Sequence, residues 1–308
     1  MTTASSAPLG RSREQQIAQI LLFVTPAMFA TNMLLARYTA DFIPPVALAV
    51  WRWLGVCVLL LPFCGAELWR QRRAVLRDAP KLLVLGGLGM GICGALVYAA
   101  GKTTTATNIG LIYAVSPVII ILLTRAMFGE RLSRRQLAGT ALALGGTLLI
   151  VAKGHLETLL TLRFVPGDLM ILVAATAWAL YSVLLKRWPG NLSINGRLAA
   201  ISFAGVIVLL PFLGWEMAHV GTATPDARTL AIIATLILVP GVGAYATHGY
   251  ITRHLGPSKG GLILYLAPVY TSLLAWLLLG EQVAAYHWIG AALVLSGLYI
   301  ATTRTRKA

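Results

Sequence analysis

The chain has 308 residues, 58% of them hydrophobic and 11% charged, with a net charge of +15. Soluble domains run near 25% charged, so this composition excludes a soluble globular core and points to a polytopic, all-α integral membrane protein. The three cysteines, Cys57, Cys64 and Cys93, lie in apolar runs without metal-type spacing and read as small helix-packing residues.

In chain order, Met1–Gln16 is a short polar tail carrying Arg11 and Arg13. Ten apolar segments follow, at about 17–37, 44–64, 81–100, 104–124, 135–152, 168–186, 196–214, 229–250, 259–279 and 286–303. A helix of roughly 20 apolar residues crosses the ~30 Å hydrocarbon layer. The first segment is too long for a signal-peptide core and no A-x-A site follows it, so it reads as a retained helix. The longest connections, Glu67–Pro80 and Gly154–Pro166, leave no room for an inserted soluble domain.

With ten crossings, nineteen of the 25 Lys and Arg fall on the side of the N-terminus and five on the other; Arg52 alone lies inside a span. That bias predicts both termini in the cytoplasm and explains the basic balance without a nucleic-acid partner.

The chain also contains itself. Gly110–Gly146 lies over Gly261–Gly297 without a gap at an offset of 151: Pro117 meets Pro268, Gly129–Glu130 meets Gly280–Glu281, and Gly139 and Gly146 meet Gly290 and Gly297. Leu60–Phe63 returns as Leu209–Phe212 at an offset of 149, where Phe29 meets Trp178 and Asn32 meets Tyr181. The expected organisation is a tail at 1–16, a first five-helix repeat at 17–153, a second at 167–303 and a cytoplasmic tail at 304–308. An odd number of spans per repeat inserts the second half upside-down, the inverted repeat of secondary transporters, with a site between the halves near the midplane.

An apolar run with Pro, then Gly-Glu twelve residues later, then a Gly-rich last helix, all duplicated, resembles the EamA family of the drug/metabolite transporter superfamily. The likeness covers about 17–303 and extends to bacterial exporters of aromatic amino acids. It implies a ten-helix carrier in the bacterial inner membrane, with a central cavity between the repeats, a small-molecule cargo, and peripheral fifth and tenth helices. Amino acids, aromatic ones foremost, are the expected cargo; a purine, drug or other metabolite is the alternative. A monomer and a homodimer both fit.

The residues narrow the mechanism. All ten acidic residues lie in tails, loops or near helix ends, which argues against proton coupling through a buried carboxylate and for facilitated diffusion or exchange. Glu130 and Glu281 read as interfacial anchors before gates. No H-E-x-x-H, G-x-S-x-G or Walker pattern occurs, so no enzyme activity, catalytic residue, metal or cofactor is expected.

The candidate cargo-binding residues sit inside spans. Trp178 lies mid-span although tryptophan prefers interfaces, and Tyr181 and Ser182 share its helical face. Tyr98, Tyr245 and His248 lie beside glycines, which leave room for a ligand or a neighbouring helix. Asn32 and Tyr265 are further candidates, with Asn108 and Ser116 behind them. Lys102 and Arg52 have two readings: snorkelling to the outer interface, or capture of a substrate carboxylate. Ordinary helix packing competes with every one of these assignments.

Overall fold

The computed structural model describes residues 13–104, 109, 112–130, 133–155, 157, 165–221, 226–279 and 284–302. Its elements are helical, with no strand among the described residues. The first half comprises α1 (Arg13–Thr39), α2 (Pro45–Arg70), the short α3 (Arg72–Arg77), α4 (Ala79–Ala100), α5 (Ser116–Phe128) and α6 (Arg134–Val151). The second comprises α7 (Pro166–Arg187), α8 (Ile194–His219), α9 (Ala227–Leu255), α10 (Pro257–Gly261), a 3-10 segment (Leu262–Leu266), α11 (Ala267–Leu279) and α12 (Ala285–Thr302). Among the described residues, α1, α2, α4, α7, α8, α9 and α12 are long and apolar enough to cross a membrane.

Three details differ from the sequence expectation. Helix α1 starts at Arg13, inside the stretch read as tail, and Glu67–Pro80 carries helix rather than loop. The fourth span of each half is not one continuous α-helix. Gly101–Thr104 form a turn and α5 begins at Ser116; in the second half a 3-10 segment precedes α11. Pro117 and Pro268 account for both breaks, because proline lacks the N–H that would continue a helix but fits its first turn.

The duplication governs the helix ends themselves. The bounds of α5 and α6 plus 151 are those of α11 and α12, and the bounds of α2 plus 149 are those of α8. The third helix of each half is interrupted by a π-helical segment, Gly87–Leu96 in α4 and Ile237–Ala244 in α9. In α9 the cause is at hand: Pro240 removes an intrahelical donor.

The halves interlock rather than sit side by side. Helix α1 packs on α9 and α11 of the second half, and α7 packs on α4 and α5 of the first. The equivalent helices α2 and α8 pack antiparallel and exchange carboxylate caps. Glu67, near the end of α2, accepts from the Ser193 N–H (2.6 Å) and hydroxyl (2.5 Å) at the start of α8. Its repeat partner Glu216, near the end of α8 and buried, accepts from the Val46 N–H (3.0 Å) and Ala47 N–H (2.7 Å) at the start of α2. Free N–H groups and the helix dipole favour an anion at each of these positions.

Helices α6 and α12 also run antiparallel, along a glycine seam. A methyl on Gly139 would stand 2.5 Å from the Gly297 carbonyl oxygen, and one on Gly146 would stand 2.6 Å from that of Gly290. The four glycines shared by the repeats therefore face one another, allowing the close backbone approach by which helices associate in lipid. Beyond this pairing, α6 and α12 touch mainly the 3-10 segment and α11.

Candidate functional site

The interlocking brings α1, α4, α7 and α9 together around an aromatic cluster. Phe29 of α1 meets Trp178 of α7 edge to face, with ring centroids 5.2 Å apart. Residues that are equivalent in the two halves and also touch lie beside the axis relating those halves. Trp178 further meets His248 at 4.7 Å, Tyr245 at 5.5 Å and Tyr181 at 5.6 Å. Edge-to-face pairs of this kind add about 0.5–1.5 kcal/mol beyond their buried area.

The π-helical segment of α4 anchors the cluster. The Tyr245 hydroxyl donates to the Gly89 carbonyl (2.8 Å), and the Trp53 indole N–H donates to that of Met90 (3.1 Å). Gly89 must be glycine for this packing, since a methyl there would lie 2.7 Å from the Tyr181 ring. Buried Ser182 and His248 stand 3.2 Å apart, Oγ to Nε2, and Thr252 Oγ1 lies 3.4 Å from the same nitrogen. The indole N–H of Trp178 and Nδ1 of His248 make no hydrogen bond among the described residues although both are buried. Buried polar groups are nearly always paired; Thr124 Oγ1, Ser202 Oγ and the Tyr265 hydroxyl are likewise unpaired elsewhere, and the cluster differs in setting two such atoms on side chains that touch each other.

Beside the cluster lies a polar group. Arg52 Nη1 donates to Asn32 Oδ1 (2.9 Å) and to the Tyr98 hydroxyl (3.1 Å), and that hydroxyl donates to Asn32 Oδ1 (2.9 Å). The guanidinium carbon sits 4.3 Å over the Trp53 ring and 5.6 Å from the Tyr245 ring. Arg52 is 2% exposed, so it does not snorkel. A cavity of ≈ 210 Å³ reaches Tyr181 and Tyr245 and continues past Thr252 to Lys186, Arg197 and Arg253.

The structure thus brings together Trp178, Tyr181, Ser182, Tyr245 and His248, and sets Tyr98 and Asn32 against Arg52. It does not bring Lys102 or Tyr265 to them. Lys102 is exposed just beyond the end of α4, and Tyr265 is buried in a separate core with Ala143, Val294 and Leu298, under the α6–α12 pair. Buried Ser116 donates to the Ala175 carbonyl (3.2 Å), a helix-packing bond. Glu130 accepts from Lys186 at 2.9 Å at the surface, an anchor between the halves. Asn108 and Glu281 lie outside the described residues.

Known proteins fit this architecture. The model of the EamA-like transporter family matches the chain twice, at residues 16–152 and 165–303. The chain belongs to that family. A probable terminal-alkyne amino-acid exporter of Streptantibioticus cattleyicolor is 30% identical over 76% of this chain and 76% of its own length. A probable amino-acid metabolite efflux pump of Escherichia coli is 26% identical, covering 94% and 95%. An uncharacterized transporter of Bacillus subtilis is 27% identical, covering 87% and 88%. A solved crystal structure aligns with a TM-score of 0.74 over 93% of this chain and 97% of that one, at 22% identity, which shows the fold. The EamA chain is accordingly a multi-pass membrane transporter, and the names of its relatives point to transporters rather than enzymes.

Sequence reasoning did not decide whether Arg52 snorkels to the interface or faces the bundle. Its place about eight residues into a span, flanked by Trp51 and Trp53, was the available signal. Sequence position does not say whether a long side chain runs outward to an interface or inward to the bundle.

Proposed function

We propose that this chain is a secondary carrier that exports amino acids, aromatic ones foremost, from the bacterial cytoplasm across the inner membrane by alternating access. It works by exchange or facilitated diffusion: the two carboxylates buried among the described residues, Asp168 and Glu216, are held at helix ends by hydrogen bonds from Thr104 and from the start of α2, away from the aromatic cluster, and are not read as proton carriers. The observation that carries this reading is the Phe29–Trp178–Tyr245–His248 cluster between the two repeats, with its unbonded Trp178 N–H and His248 Nδ1. An apolar, aromatic wall with a few convergent polar atoms suits a flat solute bearing one polar end.

The topology completes the proposal. Ten crossings with both termini inside agree with the charge bias. The antiparallel packing of the equivalent pairs α2/α8 and α6/α12 supports an inverted repeat. On that topology the cavity opens to the cytoplasm past Lys186, Arg197 and Arg253. The opposite face of the bundle on that topology carries the Glu216 cap, Arg228 on Tyr38 and Thr104 on Asp168. The relatives named as amino-acid exporters support the cargo class.

Counterflow in liposomes holding only this protein, preloaded with phenylalanine, tests the reading. The expected result is rapid exchange that ignores an imposed pH gradient and weakens in Trp178→Ala. Absence of exchange beside active controls rejects phenylalanine and moves the weight to a purine, drug or other metabolite. Gradient-dependent uptake instead refutes the uncoupled mechanism and makes His248 the first residue to change.

A further inference from the structure

We infer that Arg52 is the carboxylate-binding residue of the cargo site, gripping both oxygens of an anionic cargo through its Nε–Nη2 edge. The inference rests on the reading of the aromatic cluster as the cargo site, and it names the charge that a cargo must bring there.

Arg52 presents two different edges. Its Nη1 hydrogens are taken by Asn32 Oδ1 and the Tyr98 hydroxyl, and the Trp53 ring lies 4.3 Å from the guanidinium carbon. These contacts fix the position of the group and leave its other edge free. Among the described residues, Nε and Nη2, both buried, make no hydrogen bond, and no ion pair includes Arg52. Nε–H and one Nη2–H point in parallel, which is the donor spacing that a carboxylate accepts with both oxygens. A lysine could not do this, because its ammonium is a point charge without a planar fork.

A bundle gains nothing in stability by holding this arrangement empty-handed. A buried guanidinium with a missing counter-charge is disfavoured, and charges inside spans mark substrate pathways. Simple polar packing would have used the free edge too. Tyr245 connects Arg52 with the aromatic cluster: its ring lies 5.6 Å from the guanidinium carbon and 5.5 Å from the Trp178 ring. An acid held by Arg52 has the aromatic cluster one ring away. The matched amide or amine lacks the charge and the second acceptor oxygen.

The test is thermal unfolding of the purified, detergent-solubilised protein titrated with paired probes: phenylalanine against phenylalaninamide, and 3-phenylpropionate against 3-phenylpropionamide. At least one acid raises the melting temperature, and its amide requires a tenfold or higher concentration for the same rise. Arg52→Met and Arg52→Gln abolish that preference; Arg52→Lys weakens acid binding tenfold or more. Without ligand, Arg52→Met melts above the wild type, because it removes an unpaired charge and leaves the Tyr98–Asn32 bond intact.

Equal protection by acid and amide in the wild type, or by neither acid, overturns the proposal whether or not the variants fold. So does an acid preference that survives Arg52→Met. The two readings separate cleanly. If 3-phenylpropionate protects through Arg52 while no amino acid shows counterflow, the amino-acid export reading fails and Arg52 stands. If phenylalanine exchanges but both amides protect as well as their acids, export stands and Arg52 falls.

Discussion

The seam between α6 and α12 makes opposite predictions for one substitution at two glycines of the same helix. Gly139→Ala places a methyl 2.5 Å from the Gly297 carbonyl oxygen, 2.6 Å from the Ala301 nitrogen and 2.9 Å from the Ala301 Cβ. All three belong to a neighbouring helix backbone or its first side-chain atom, so none can swing aside. Gly145→Ala, on the outer face, meets nothing within 4 Å. In a helix interior alanine is favoured over glycine by roughly 0.5–1 kcal/mol. Gly145→Ala should keep that gain. Gly139→Ala loses it to overpacking of about 1–3 kcal/mol, for a net loss of about 0–2.5 kcal/mol, centred near 1 kcal/mol. The two variants should therefore differ by about 2 kcal/mol, which for 308 residues is on the order of 3 °C in melting temperature. Thermal unfolding in detergent reads this directly, with counterflow per folded molecule as the second readout. Exchange should be unchanged in both variants, because the seam lies away from the aromatic cluster. Equal shifts, or a stabilised Gly139→Ala, would refute the claim that the repeated glycines exist for close helix approach.

Three further outcomes are expected. Trp178→Phe removes an N–H that has no partner among the described residues; if it serves the cargo, one lost hydrogen bond raises the counterflow KM about twofold to tenfold with kcat little changed, and an unchanged KM removes Trp178 from the site as a donor. Glu216→Gln weakens two charge-assisted bonds at a buried helix start and should cost about 1–2 kcal/mol, more than Glu67→Gln, whose carboxylate is half-buried; the reverse order in thermal unfolding would contradict the reciprocal-cap description. Asp226 caps α9, and the hydrogen bonds from Thr229 hold its carboxyl below the ordinary aspartate range. A folded-state value depressed below the unfolded ~3.9 stabilises above that pH and is lost as pH falls through the folded value. Asp226→Ala should thus lower the melting temperature at pH 7 and leave it near the wild type at the acid end; a constant difference across pH would show that the charge is not what stabilises the cap.

Much of this molecule was legible in one dimension because its physics is periodic. Membrane thickness sets the length of the apolar runs, and a repeat of half the chain sets the register, so the offset of 151 read from Pro, Gly and Glu and that of 149 read from Leu60–Phe63 reappear in the helix ends. Helical spacing placed Trp178, Tyr181 and Ser182 on one face and Tyr245 with His248 on another, and those faces meet. What the sequence could not decide were the meetings of distant residues and the direction of long side chains. That Glu67 and Glu216 cap each other's helices depends on α2 and α8 lying antiparallel, 149 residues apart. That Tyr265 belongs under α6 and α12 rather than at the aromatic cluster depends on which neighbours close over the 3-10 segment. Arg52 depends on both: its guanidinium turns inward because Asn32 of α1, Tyr98 of α4 and Trp53 of its own helix converge there. Local pattern fixes which face a residue occupies, but only the packed bundle fixes what that face meets.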